Sequence, residues 1–173
     1  MKYTDRIANV AVIVAVAVFL VLVARGEFSR RTLPSAHTAN ALVGTKISIP
    51  GAHFPAQGDT LVLGISENCH FCNESLPWYK DLTARLQGKV NVLAVLPQPQ
   101  TEAENYLRAE GLSGAQVISA NLDSIGVYAT PTLLLVDSAG KVKSAWVGKQ
   151  NDAGQQKILA AVLPHGAPAV PRS

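Results

Sequence analysis

The chain has 173 residues, 48% hydrophobic and 16% charged, with 13 Gly, 10 Pro and 2 Cys. That length accommodates one ordinary domain with a short appendage and excludes a large multidomain enzyme, and the hydrophobic share excludes a chain disordered throughout. The formal charge of +3 arises within residues 1–31, where Lys2, Arg6, Arg25, Arg30 and Arg31 stand against Asp5 and Glu27; the rest is balanced, so no nucleic-acid partner is expected.

Residues 7–24 (IANVAVIVAVAVFLVLVA) contain one weakly polar member, Asn9, and no charge. As a helix they would span about 27 Å, close to the hydrocarbon core of a bilayer. Residues 1–26 therefore read as an N-terminal membrane anchor. Ala24 and Gly26 form a small-x-small pair of the kind a signal peptidase accepts. The apolar run is longer than a cleaved signal usually carries, so an uncleaved anchor is expected. Basic residues flank both ends, and the charge count does not orient the helix. Residues 27–43 mix small, polar and basic types and read as a tether. Residues 164–173, rich in Pro, read as a disordered tail.

The folded domain is expected over residues 44–163. Residues 60–65 (TLVLGI) form a short apolar run and read as a buried strand. A helix is expected over 69–86, with Leu76, Tyr79, Leu82 and Leu86 at helical spacing. A second buried strand is expected over 90–96 and a helix over 101–110, with Thr101 and Glu104 as a capping box and Gly111 as the stop. Residues 116–119 read as a short strand. Residues 132–137 and 142–147 read as strands joined in an antiparallel hairpin through Gly140. A last helix is expected over 152–163, capped by Asp152 and Gln155. The order implies an α/β domain with a central mixed sheet and helices on both faces.

Both cysteines fall in Cys69-His70-Phe71-Cys72, directly after an expected strand and at the start of an expected helix. Two cysteines exclude a disulfide-rich scaffold and a four-cysteine zinc site. A helix N-terminus offers unpaired N–H groups and a partial positive charge, and both favour a thiolate. Cys69 is thus the candidate attacking sulfur, with a lowered pKa, and Cys72 the candidate resolving sulfur. An imidazolium at His70 would favour the thiolate further, whereas Glu67 and Glu74 would oppose it. Phe71 offers an apolar surface to a partner chain or packs. A structural disulfide and a metal site using Cys69, Cys72 and His70 or His53 remain open alternatives. Haem attachment is excluded, because position 73 is Asn.

Strand, CxxC and a helix carrying Pro77 five positions after Cys72 resemble proteins of the thioredoxin fold. The stretch from Ile125 through Thr130-Pro131 to Asp137, followed by Ala139-Gly140-Lys141-Val142 and Val147-Gly148, is especially similar. With the membrane segment, the chain looks like the anchored ResA/TlpA type of bacterial thiol-disulfide oxidoreductase. The resemblance implies a thioredoxin-like domain preceded by one transmembrane helix. It also implies a kink at Pro77, a cis peptide at Pro131, and substrate backbone held beside Thr130 and Pro131. It implies a single-pass protein of the inner (cytoplasmic) membrane with its catalytic domain on the extracytoplasmic, periplasmic side. The implied partners are protein thiols and disulfides, with apocytochrome c and a membrane electron donor among them, and no cofactor or metal is implied.

The chain departs from that family where Asn68 replaces the usual Trp before the first cysteine, where the dipeptide is His-Phe, and where residues 60–65 carry no buried acid. Two other chemistries stay open. One is Cu(I) handling by Cys69, Cys72 and a His, weakened by the absence of any Met beyond the initiator. The other is peroxide reduction, for which Ser66, three residues before Cys69, is an echo without a nearby Arg.

Overall fold

The computed structural model describes residues 36–112 and 114–163, together with Val16. The expected anchor, apart from Val16, the first part of the tether and the expected tail lie outside the described residues. Among the described residues no helix is long and apolar enough to cross a membrane.

Two apolar runs become the central parallel strands, β1 (Thr60–Gly64) and β2 (Asn91–Leu96). Their near-continuous hydrophobicity is what a strand covered on both faces requires. A parallel pair cannot close with a tight turn. The connection is the helix α2 (His70–Leu86), which crosses over the sheet between them. β3 (Gln116–Ser119) extends the parallel side. On the other side β4 (Thr132–Val136) pairs antiparallel with β1, and β5 (Val142–Val147) pairs antiparallel with β4. The sheet order is β3-β2-β1-β4-β5, a mixed sheet as expected. The hairpin turn is held by Asp137, whose Oδ1 accepts from the N–H groups of Ala139 and Lys141, both at 2.9 Å. Gly140 adopts φ +80° there, with the Ile47 carbonyl where a side chain would stand.

Alternate residues of the strands feed two cores, following the two-residue period of a pleated strand. Leu61, Leu63, Val92, Ala94, Leu96, Leu133 and Leu135 face α2, α3 (Gln100–Ala109) and α4 (Asp152–Val162). Val62, Leu93, Val95, Leu134 and Val136 face the opposite way. That second face is covered by the 3₁₀ turn Leu122–Ile125, the strand-like segment around Ile47 and Ile49, and the short helix α1 (Ala36–Leu42). Helices therefore lie on both faces, with most of the helical mass on one.

The structure departs from the sequence reading in four places. The segment expected as tether over 27–43 contains α1, and Leu42 is buried in the second core. Its surroundings in sequence are small and polar, so only tertiary contact reveals that Leu42 is core. The capping box expected at Thr101 and Glu104 does not form. α3 starts one residue earlier, at Gln100 after Pro99, with no side-chain cap. Gln100 instead donates to Glu104 Oε1 (2.7 Å) and to the Val117 carbonyl (3.1 Å), and accepts from the Ser119 N–H (2.9 Å), stitching α3 to β3. α4 is capped by Asn151, which accepts from the Gly154 N–H, rather than by Asp152. The 3₁₀ turn Leu122–Ile125 was not expected from sequence. Gly111 does end α3, at φ +68°.

Candidate active site

Cys69 is the N-cap residue of α2, with extended backbone (φ −96°, ψ 110°). That placement is set locally. β1 ends at Gly64, the chain turns through Ser66–Asn68, and the Cys69 N–H donates to the Ser66 carbonyl (3.1 Å). As in other N-caps, the side chain turns back over the first helical turn. The Cys72 N–H donates to Cys69 Sγ at 3.2 Å. Cys69 is half-buried and Cys72 fully buried, both as free thiols. This is the division expected from sequence, with one sulfur reachable and the other covered.

The loop before β4 supplies the opposite wall. The Thr130–Pro131 peptide is cis, as the resemblance implied, and the Cys69 thiol donates to the Thr130 carbonyl at 3.4 Å. Pro77 lies within α2 and removes the N–H that would have bonded the carbonyl one turn earlier. The Cys72 thiol is pushed up to about 12, first by burial, then by its hydrogen bond with Cys69; the Ser66 backbone pulls the other way. Tyr79, buried beneath, is pushed up by burial, and Tyr106 is pushed up to about 12, by burial first and then by the charge of Cys72.

His70 pairs along its own helix. Its side chain is exposed, and Nε2 lies 3.1 Å from Glu74 Oε1 on the next helical turn. The other Glu74 oxygen accepts from Lys149 Nζ at 2.8 Å. Lys149 foremost, then His70, holds the Glu74 carboxyl below the usual carboxylate range. Among the described residues no three His, Cys, Asp or Glu side chains converge as a metal-ion set. Glu67 is exposed, and its carbonyl accepts from Asn73 Nδ2. For peroxide chemistry, the Ser66 hydroxyl is taken by Gln98 Nε2 at 3.1 Å, and the described arginines are engaged along their own helices, Arg85 with half-buried Asp81 and Arg108 with exposed Asn105. Phe71 stands 54% exposed beside the sulfurs, and Tyr128, two residues before Thr130, is 73% exposed. Neither Trp78 nor Trp146 projects as a recognition group; both pack on the α2 side of the sheet.

Several site residues gave no signal in sequence. Asn73 sits directly after Cys72, and its amide links the Glu67 carbonyl to the Tyr106 hydroxyl (2.7 Å) on α3. Gln98 steadies Ser66 from the end of β2, while its own Oε1 is buried without a partner. Lys149 reaches α2 from beyond β5. Tyr128 lay in an apolar stretch where an aromatic reads as core.

Comparison with solved structures places this geometry. The chain is similar to a Chlorobium tepidum protein assigned as the thiol:disulfide interchange protein DsbE, with 24% identity and a TM-score of 0.54 over 69% of this chain and 99% of that one. It is similar to a thiol-disulfide isomerase from Corynebacterium glutamicum, with 12% identity and a TM-score of 0.54 over 72% and 97% of the two chains. It is also similar to the pneumococcal exposed lipoprotein thioredoxin from Streptococcus pneumoniae, with 18% identity and a TM-score of 0.51 over 61% and 86%. These likenesses establish a thioredoxin-like fold. No protein-family model matches the chain, and no curated protein matches it.

Proposed function

We propose that this protein is a thiol-disulfide oxidoreductase that exchanges the Cys69 and Cys72 dithiol with disulfides of protein substrates. The observation that carries the reading is the meeting of a half-exposed helix-capping sulfur with the Thr130 carbonyl, above a second, buried sulfur. The thioredoxin-like relatives in structure support it.

In the reducing direction, Cys69 loses its proton and attacks one sulfur of a substrate disulfide. A Cys69–substrate bond forms, the substrate S–S bond breaks, and the first substrate sulfur leaves as a thiolate that takes a proton. Cys72 then attacks Cys69 Sγ, the Cys69–Cys72 bond forms, and the second substrate sulfur leaves. Two electrons pass to the substrate, with two protons. Capture of Cys69 removes the Cys69 hydrogen bond and charge, two of the causes that hold the Cys72 thiol up. The Ser66 backbone and Thr130, which lower it, remain. Thr130, beside Pro131, faces the position of the incoming sulfur and holds the substrate backbone alongside, while Phe71 and Tyr128 offer it apolar surface.

The protein works, in this reading, as a single-pass protein of the cytoplasmic membrane, tethered through residues 7–24 with the domain on the extracytoplasmic side. Apocytochrome c is among its expected substrates, and a membrane protein is the expected electron donor. The uncharged apolar run supports the tether, and the family resemblance supports the compartment. The test is a Cys72→Ser variant expressed in full length. Mixed disulfides through Cys69 with extracytoplasmic proteins are expected, identified by mass spectrometry. A Cys69 thiol that resists alkylation after mild reduction would end the reading.

A further inference from the structure

The turn after β5 touches both walls of the site. The Gly148 N–H donates to the Pro131 carbonyl at 2.7 Å, and Gly148 takes φ +83°, a conformation suited to glycine. Gln150 Nε2 donates to the Val147 and Gly148 carbonyls, at 3.3 and 2.8 Å, which stiffens the turn from within. From this turn Lys149 reaches back to α2 and donates to Glu74 Oε2 at 2.8 Å, across 75 residues of sequence. Glu74 lies two residues beyond Cys72, and its other oxygen engages His70. The contacts close a ring: Cys69 to Thr130, Pro131 to Gly148, Lys149 to Glu74, and Glu74 back along the helix to Cys69.

We propose that Lys149 and Glu74 are a positioning pair that sets the width of the cleft between the Thr130–Pro131 loop and the cysteine-bearing helix. The proposal rests on the reading that a substrate chain docks beside Thr130. The Cys69–Thr130 contact must give way when a substrate sulfur arrives. The Lys149–Glu74 contact lies at the other end of the ring and stays closed, so it holds the walls at the separation an extended chain needs. Both side chains are partly exposed, so the pair contributes little to global stability. Its loss therefore reads out in substrate binding rather than in unfolding.

The test uses the full chain in detergent, with insulin as protein disulfide and bis(2-hydroxyethyl) disulfide as a small neutral one. Lys149→Met and Glu74→Gln are each expected to raise KM for insulin about three- to fivefold, the scale an exposed ion pair supports, with a smaller change in kcat. The rate with the small disulfide, which needs no cleft, is expected to change less than that KM. The charge exchange Glu74→Lys with Lys149→Glu is expected to restore KM. Equal KM for the wild type and both single variants, or no recovery in the exchange, overturns the pair. Hydrogen exchange at the Thr130 amide, measured in a Cys72→Ser mixed disulfide with a cysteine peptide, separates the two readings. Slowed exchange with unchanged KM values removes the pair and leaves docking intact. Unchanged exchange removes docking, and the pair with it.

Discussion

Cys69 Sγ and the carbonyl oxygen of Thr130 lie 3.4 Å apart although 61 residues separate them in the chain. One belongs to the start of a helix and the other to the loop that enters β4. Both arise at the same end of adjacent strands, because β1 pairs with β4 so that Gly64 stands opposite Thr132. The register of one antiparallel pair thus delivers both halves of the site.

The two sulfurs should behave differently on substitution. Cys69→Ser is expected to lower kcat/KM with insulin by at least about a thousandfold, since no other nucleophile replaces it. Cys72→Ser is expected to retain the first attack and accumulate the mixed disulfide. Stopped-flow and non-reducing electrophoresis distinguish the two outcomes. Turnover by the Cys69 variant at near wild-type rates would contradict the assignment.

The position of Cys72 has a signature in pH. In the fold its thiol is pushed up to about 12 from an ordinary 9.0, chiefly by burial. The folded protein thus holds this proton more tightly than the unfolded chain does. Its contribution to stability is complete below pH 9 and is lost as pH rises from there through about 12. The oxidised protein has no such thiol, while buried Tyr79 titrates in both forms. Denaturation of the reduced and oxidised forms between pH 8 and pH 11 should therefore show a stability difference that shifts against the reduced form as pH rises. The midpoint potential should still fall by at least about 30 mV per pH unit in that range, because reduction continues to take up the Cys72 proton.

The docking of α1 includes one close approach. Gly126 has φ +76°, and a Cβ there would lie 2.8 Å from Leu42 Cδ2. Gly126→Ala is expected to destabilise the domain by about 1–2 kcal/mol through backbone strain, with a further loss where Leu42 is displaced. Leu42→Ala is expected to cost about 2–3 kcal/mol. Both should make residues 36–42 more sensitive to proteolysis. Urea denaturation and limited digestion measure these effects, and unchanged digestion in both variants would show that α1 does not depend on this contact.

The start of α4 offers a simpler comparison. Asn151 accepts from the Gly154 N–H at 2.9 Å, so Asn151→Ala is expected to cost about 1 kcal/mol. Asp152 lies within the first turn and makes no cap, so Asp152→Ala is expected to cost less. The reverse ranking in thermal melts would favour Asp152 as the cap.

Much of this was legible in the residue order, and the reason is local. The apolar runs that became β1, β2, β4 and β5, the helical spacing of Leu76, Tyr79, Leu82 and Leu86, and the place of Cys69 and Cys72 at a strand-to-helix junction are short-range patterns. Such patterns reflect backbone geometry, with its periods of 2 and 3.6, and need no distant partner. The cap of α4 was read one residue off for the same reason. Asn151 and Asp152 are equally good local candidates for an N-cap, and the structure gives the place to Asn151.

Residue order alone determined the chemistry on offer: two thiols with two residues between them, at a helix start, in a chain with an uncharged apolar segment ahead of them. Only the tertiary structure decided what those thiols meet. Leu42 as core, Gln98 on Ser66, Tyr106 on Asn73 and Lys149 on Glu74 join residues far apart in the chain or set in bland surroundings. Such pairs leave no periodicity to read. They exist because burying both faces of one sheet forces distant segments against the same strand ends.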